Sequence, residues 1–236
     1  MECIKSGEPE VAVAERKEAK EAVGRYVGLA LRYALFGSEP AVLLVCGRSG
    51  CGKTTLAESI AEKLNWDHIN SDVIRKAAAA LPLYQRSSTM IRQGLYSLPV
   101  TEKVYQTLLE VTLAHVEKRK GIVVDATFGL AKHRTHFSQA LEKQHVPFYF
   151  IEMQTSEGVI GRRLAERDKM KHIVSDARLE DLDLLRHIYQ KPEEVLPEHL
   201  LKVNADSGVE TTLAQVIRML SGLYLERRRT RYVPPC

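Results

Sequence analysis

AVLLVCGRSGCGKTT, residues 41–55, is the stretch that decides the fold. Its first six residues form a short apolar run bounded by a proline and a glycine, which is typical of a strand buried on both faces of a parallel sheet. Leu56, Ile60 and Leu64 then recur four residues apart, which indicates an amphipathic helix. A strand, a glycine-rich turn and a helix in this order predict the first unit of an α/β domain.

The turn itself satisfies the pattern G-x-x-x-x-G-K-[ST] in the context that this pattern requires. Glycines let backbone N–H groups converge on phosphate oxygens, and the N-terminus of the next helix adds positive potential. Lys53 supplies a mobile charge for the β- and γ-phosphates, and Thr54 a hydroxyl ligand for Mg²⁺. We therefore predict a nucleotide site, whose candidate residues are Gly47, Arg48, Ser49, Gly50, Cys51, Gly52, Lys53, Thr54 and Thr55.

Composition is typical of a globular protein from a reducing compartment. The 236 residues are 44% hydrophobic, which suffices for the core of one α/β domain. There is no apolar run of membrane-spanning length, no secretory signal, and no cysteine spacing of a metal site or disulfide framework. We expect a cytoplasmic protein with no membrane partner.

Because Cys51 lies next to a helix N-terminus, which lowers the pKa of a thiol, we also expect it to be sensitive to oxidation.

Strands and helices alternate along the rest of the chain, which predicts a parallel sheet with its site at the carboxyl ends of the strands. The helix after the second strand is expected to be capped by Ser71 or Asp72, and the long helix that follows by Thr101. A further helix is expected to start near Ser175 and Asp176. We divide the chain into a long N-terminal helix and linker over 1–40, a nucleotide-binding domain over 41–222 with a lid at about 156–180, and a basic tail over 223–236. The remaining predicted strands cover 66–70, 121–125, 146–153 and 200–204, and the long N-terminal helix covers 9–36.

Two pairs of charged residues suggest chemistry beyond nucleotide binding. Asp72 and Arg75 are three apart at a helix start, so the carboxylate can orient or deprotonate a hydroxyl while the guanidinium holds the acceptor. Arg163 and Arg167 are four apart and can close over a transferring phosphoryl group. The alternatives are that Asp72 only caps its helix, that Arg75 is surface charge, and that both lid arginines form surface salt bridges.

Asp125 ends the third strand, where it can hold Mg²⁺ through water or contact the acceptor. It is followed by alanine rather than by the glutamate of motor ATPases, and no Asn-Lys-x-Asp guanine signature is present. Motor and G-protein functions are therefore disfavoured. Arg92, in the irregular region 81–105, and Thr127 are further candidates for acceptor contacts.

In order and spacing, the segments GRSGCGKTT, SDVIRK, GLYS, VY, GIVVDATF, RRLAERD and SDA resemble the P-loop kinase-like family. Its members stand alone or fused behind an aminoglycoside-phosphotransferase-like domain, and relatives include zeta toxins, chloramphenicol phosphotransferase, gluconate kinase and polynucleotide kinase. The resemblance, over about 41–205, implies a five-stranded sheet in the order 2-3-1-4-5 and an acceptor-activating role for Asp72. It also implies that Asp72 with Arg75 matches the Asp-x-x-Arg pair of polynucleotide kinase, whose lid arginines correspond in type to Arg163 and Arg167.

The sequence thus predicts a phosphotransferase that uses ATP and Mg²⁺ to phosphorylate a hydroxyl of a small molecule. Lys53, Asp72, Arg163 and Arg167 are its candidate catalytic residues, and Thr54 and Asp125 its candidate metal ligands. Three alternatives stay open: a 5′-hydroxyl kinase of DNA or RNA ends, a nucleotide-gated binding module that acts through the N-terminal helix, and a toxin-like kinase of nucleotide sugars.

Overall fold

The computed structural model describes residues 13–85, 94–170 and 173–231. The strands within these ranges are β1 Val42–Cys46, β2 Asp67–Asn70, β3 Ile122–Asp125, β4 Phe148–Gln154 and β5 Leu200–Asn204. The α-helices are α1 Val13–Phe36, α2 Lys53–Leu64, α3 Ser71–Ala78, α4 Leu98–Glu117, α5 Ala131–Lys143, α6 Glu157–Asp168, α7 Leu182–Ile188 and α8 Val209–Arg231. The predicted alternation of strands and helices is confirmed.

The strands form one parallel five-stranded sheet in the order β2-β3-β1-β4-β5, which confirms the predicted topology. β1 lies at its centre and is buried along its whole length, because helices cover both faces of the sheet. Leu43 and Val45 point into the core formed with α1, α2, α6 and α8, whereas Val42 and Leu44 point into the core formed with α4 and α5. Because all five strands are parallel, their carboxyl ends meet at one edge of the sheet.

The N-terminal helix α1 packs on the domain, against α2 and α8. Leu35 and Phe36 at its end are buried in the core, and an added Cβ at Gly28 would lie 2.7 Å from the carbonyl oxygen of Lys63. That close approach requires a glycine. Tyr26 and Val27 recur at helical spacing with other apolar residues of α1, yet they are 64% and 57% exposed, because the contact runs along the small residues of the helix.

Two predicted helix starts are wrong because other residues cap or begin the helices. Asn70, and not Ser71 or Asp72, caps α3: its side chain accepts hydrogen bonds from the backbone N–H groups of Asp72 and Val73. α4 begins at Leu98, one turn before Thr101, with a proline in its first turn.

Two later boundaries also differ from the predicted ones. The helix expected to start near Ser175 begins at Leu182, after a 3₁₀ turn at Leu179–Asp181. The last helix continues to Arg231, past the predicted domain boundary at 222, so the start of the basic tail is helical. In the described ranges, no helix combines the length and the apolar character that crossing a bilayer requires.

Candidate active site

The glycine-rich turn between β1 and α2 forms a cradle of backbone groups at the carboxyl edge of the sheet. Gly47, Gly50 and Gly52 have φ values of +139°, +82° and +99°, which favour glycine. A Cβ at Gly47 would also lie 3.0 Å from Sγ of Cys51. The glycines at these positions are therefore required by the shape of the loop, as the phosphate-binding pattern predicts.

Two basic residues of the loop are anchored to main-chain oxygens. Nζ of Lys53 donates a hydrogen bond to the carbonyl of Arg48 over 3.0 Å, so it folds back across its own loop. Nη2 of Arg48 donates to the carbonyl of Thr155 over 3.0 Å, and its Nη1 lies 3.3 Å from Glu157. Arg48 thus ties the phosphate loop to the start of α6.

Thr54 and Asp125 meet at the base of the cradle. The Thr54 hydroxyl donates to Oδ2 of Asp125 over 2.6 Å, and Nδ2 of Asn70 donates to the same oxygen over 2.5 Å. Asp125 is only 1% exposed. A hydroxyl and a carboxylate beside a phosphate cradle are oxygen donors of the kind that Mg²⁺ prefers, so these residues fit the predicted cation. Sequence reasoning missed Asn70, whose signal was a polar residue at the end of a predicted strand.

Asp72 lies in the first turn of α3, and it lines a cavity that the phosphate loop and Asp125 also line. Burial raises the pKa of its carboxyl group, an effect that Arg75 opposes and Asp125 reinforces. Nε of Arg75 is 3.9 Å from Oδ1 of Asp72, and the hydroxyl of Tyr96 donates to that oxygen over 3.4 Å. A carboxylate with a raised pKa is a stronger proton acceptor than an exposed aspartate.

Arg75 is held by neighbouring elements. It is 5% exposed, and its Nη1 donates to the carbonyl of Leu95 over 3.0 Å and to the hydroxyl of Thr101 over 3.2 Å. Its guanidinium also lies 4.6 Å from the centre of the Tyr96 ring. Among the described residues, those that line the cavity of Asp72 do not include Arg75. The structure therefore places this arginine between α3 and residues 94–101.

Arg163 and Arg167 share a face of α6, and both line the cavity. Nη1 of Arg163 donates to the carbonyl of Cys51 over 2.7 Å, and its Nη2 to the carbonyl of Ala205 over 2.8 Å. Arg167 donates to the carbonyl of Ala177, in the segment after α6. Arg163 thus braces the phosphate loop, and Arg167 holds the segment that leads to α7.

The lowered thiol pKa on which the expected oxidation sensitivity of Cys51 rests is contradicted by the structure. Its side chain is 0% exposed, and burial raises the pKa of its thiol, which outweighs the lowering effect of Lys53. The proximity of the helix N-terminus does not compensate for the loss of solvent. Cys51 is a packing residue of the loop.

One cavity of about 570 Å³ brings most of the predicted site residues together. The loop from Ser49 to Thr55 lines it, with Asp72, Asp125, Thr127, Arg163 and Arg167. Gly47 lies next to this cavity, since its backbone N–H donates to the carbonyl of Thr127 over 3.2 Å. Arg92 lies outside the described residues.

Parts of the chain are similar to a known protein family and to curated proteins. A family model described as "AAA domain" matches residues 42–192. Uncharacterized proteins of Mycobacterium tuberculosis and Mycobacterium bovis are each 23% identical over 169 residues, which cover 71% of this chain and 32% of the relative. The chain thus spans about a third of the length of these curated relatives.

Two solved structures show the same fold. A gluconokinase from Sinorhizobium meliloti superposes with a TM-score of 0.60 at 17% identity, over 82% of this chain and 98% of that one. A sugar kinase from Janibacter sp. superposes with a TM-score of 0.56 at 15% identity, over 80% of this chain and 95% of that one. At these identities the likeness concerns the fold.

Proposed function

Since the chain belongs to the AAA domain family of P-loop kinase-like proteins, we propose that it transfers the γ-phosphoryl group of ATP to a hydroxyl of a small molecule. The observation that carries this proposal is that the phosphate loop and the Asp72 carboxylate face one cavity. A nucleotide site alone needs no carboxylate across the cleft. A phosphotransferase to an alcohol needs one, to orient or accept the proton of the attacking hydroxyl.

In the proposed reaction, ionised Asp72 accepts the proton of the acceptor hydroxyl while its oxygen bonds to the γ-phosphorus. The bond from that phosphorus to the β–γ bridging oxygen breaks, and ADP leaves with the electron pair. Lys53 exchanges its contact with the Arg48 carbonyl for the phosphate oxygens, and the backbone N–H groups of the loop bind the same oxygens. Thr54 and Asp125 are the residues that would hold Mg²⁺, which when bound neutralises charge on the phosphates.

The environment of Arg75 removes the support that the Asp-x-x-Arg pair gave to a nucleic-acid end as the acceptor. An arginine that grips a nucleic-acid phosphate must offer its guanidinium to solvent, whereas this one is 5% exposed and bound to Leu95, Thr101 and Tyr96. The similarity to structures named as a gluconokinase and a sugar kinase supports a small molecule as the acceptor.

A transfer screen tests the proposal. Purified protein is incubated with Mg²⁺ and γ-labelled ATP against pools of sugars, polyols, aminoglycosides, nucleosides, nucleotide sugars and 5′-hydroxyl oligonucleotides. Lys53→Met is the control, because it keeps the length of the side chain and removes its charge. We expect label on a non-nucleotide small molecule with the wild type and none with the variant.

Other outcomes decide between the alternatives. Label confined to oligonucleotides or to nucleotide sugars would overturn the proposal in favour of the corresponding kinase. ATP binding without transfer to any pool would overturn it in favour of a nucleotide-gated binding module.

A further inference from the structure

A buried ion pair near Asp72 joins two segments that are far apart in the sequence. Nζ of Lys76, one turn further along α3, is 3.3 Å from Oδ1 of Asp176, in the segment between α6 and α7. The two side chains are 1% and 6% exposed. Nζ of Lys76 also donates to the carbonyl of Leu83 over 3.0 Å. Since either charge alone would be costly to bury, the pair fixes this segment against α3.

The hydroxyl of Tyr96 links this ion pair to Asp72. It lies 3.1 Å from Oδ2 of Asp176 and 3.4 Å from Oδ1 of Asp72, so one phenol proton serves two carboxylates. The Arg75 guanidinium, stacked over the ring, holds the tyrosine in place. The hydroxyl thus bridges Asp72 and Asp176, and each carboxylate also lies near a cation of α3: Arg75 for Asp72 and Lys76 for Asp176.

We propose that Tyr96 is a positioning residue for Asp72: its hydroxyl orients the carboxylate, and the Lys76–Asp176 ion pair fixes the hydroxyl. The seating of the segment after α6 on α3 thereby contributes to the orientation of Asp72. The inference rests on the proposed function, in which Asp72 receives the proton of the acceptor. It adds to that function a residue that need not touch the acceptor.

The charges around Asp72 determine the sign of the expected effect. Arg75 on its own helix, Lys53 at the start of α2 and a hydrogen bond from the side chain of Ser175 lower the pKa of Asp72, whereas burial, the largest effect, and Asp125 at the end of β3 raise it. Asp176 is a second carboxylate that contacts the Tyr96 hydroxyl. A hydrogen bond donated to the ionised carboxylate lowers its pKa, so loss of the Tyr96 hydroxyl raises it.

The test uses the full chain with ¹³C-labelled aspartate carboxyl groups and no added ligand, titrated by NMR. The Asp72 signal is assigned from its absence in Asp72→Asn. In Tyr96→Phe we expect the pKa of Asp72 to rise by roughly 0.5 to 1 pH unit. The matched control is Tyr189→Phe, which also removes a phenol hydroxyl bound to a buried carboxylate, that of Glu152 at 3.1 Å. It should leave Asp72 unchanged, and an unchanged Asp72 pKa in folded Tyr96→Phe would overturn the inference.

A kinetic measurement separates positioning from mere packing. With an acceptor found in the transfer screen, Tyr96→Phe should lower kcat about fivefold and move the acid limb of the pH profile upward, with KM for ATP unchanged. A lower thermal stability with an unmoved acid limb would contradict positioning. If Tyr96→Phe shifts the pKa of Asp72 but the wild type transfers no phosphoryl group, the positioning stands and the proposed function fails.

Discussion

The hydroxyl of Thr54 and the carboxylate of Asp125 are joined by a hydrogen bond of 2.6 Å. The same carboxylate oxygen accepts a hydrogen bond from Asn70, and Oδ1 of Asn70 caps the helix that carries Asp72. A continuous set of hydrogen bonds therefore connects the phosphate loop to the proposed proton acceptor. This set fixes the two halves of the site relative to each other.

Thr54→Ala should weaken binding of ATP in the presence of Mg²⁺ by about tenfold or more, because a hydroxyl ligand of the cation is lost. Binding of ATP in EDTA should change far less. Calorimetric titration with and without Mg²⁺ measures both. Thr54→Ser keeps the hydroxyl and should behave as the wild type, and equal Mg²⁺-dependent affinities for Thr54→Ala and the wild type would refute Thr54 as a ligand.

Asn70→Ala should lower the free energy of unfolding by about 1–2 kcal/mol, since the cap of α3 and the bond to Asp125 are both lost. Asn70→Ser restores a capping oxygen without reaching Asp125 as an amide does. In denaturant unfolding, the free energy of unfolding of Asn70→Ser should lie between those of the wild type and Asn70→Ala. A serine variant as unstable as the alanine variant would show that capping contributes nothing here.

Arg163→Met should raise the Kd for ATP about tenfold while lowering kcat at saturating ATP much less, because its guanidinium braces the carbonyl of Cys51 in the phosphate loop. The neighbouring Arg162 is exposed, so Arg162→Met is the matched control. Steady-state kinetics separates the two effects. A large loss of kcat with an unchanged Kd would instead place Arg163 on the transferring phosphoryl group, as its spacing with Arg167 predicted.

Among the charged residues that the structure describes outside the site, Arg134 is the one whose replacement we expect to lower the free energy of unfolding most. It is 0% exposed, its Nε and Nη2 bind the carboxylate of Glu194 over 2.5 and 2.9 Å, and its Nη1 donates to the carbonyls of Phe128 and Gln190. Arg134→Met leaves these acceptors unsatisfied and should cost about 3 kcal/mol or more of unfolding free energy.

Thermal and denaturant unfolding measure this cost. Arg218→Met, on the exposed side of α8, is the control and should change stability by less than about 0.5 kcal/mol. An Arg134 variant as stable as this control would contradict the structural assignment.

The pH dependence of transfer should reflect the raised pKa of Asp72. The group must be ionised to accept a proton, so activity is full above its pKa and is lost as the pH falls through it. Because burial raises that pKa, the acid limb of kcat/KM should lie above the value of about 3.9 of an ordinary aspartate. A limb at or below that value would mean that Asp72 is not the group that titrates.

Local patterns were sufficient to predict the sheet, the phosphate loop and the carboxylates at its edge. A buried strand, a glycine-rich turn and an amphipathic helix each leave a periodic signal, and parallel strands bring their carboxyl ends together wherever they lie in the sequence. Thr54, Asp125 and Asp72 could be placed in one site for that reason.

The partners of the arginines and lysines could not be predicted in the same way. The spacing of Arg75 from Asp72 indicates a shared helix face, but not that residues 94–101 fold over it and bury the guanidinium. Lys76 finds Asp176 only because the segment after α6 returns to α3. Such contacts depend on tertiary packing between elements distant in sequence, which periodicity does not encode.

The role of Asp72 as the proton acceptor is tested most directly by comparing Asp72→Asn with the wild type. For each protein, two quantities are measured: the affinity for ATP with Mg²⁺, and the transfer of the labelled γ-phosphoryl group to the acceptor from the screen. Asparagine has nearly the shape of aspartate but cannot accept the proton. We predict unchanged ATP affinity and transfer reduced by about 100-fold or more. Transfer at the wild-type rate by Asp72→Asn would contradict the role of Asp72 as the proton acceptor.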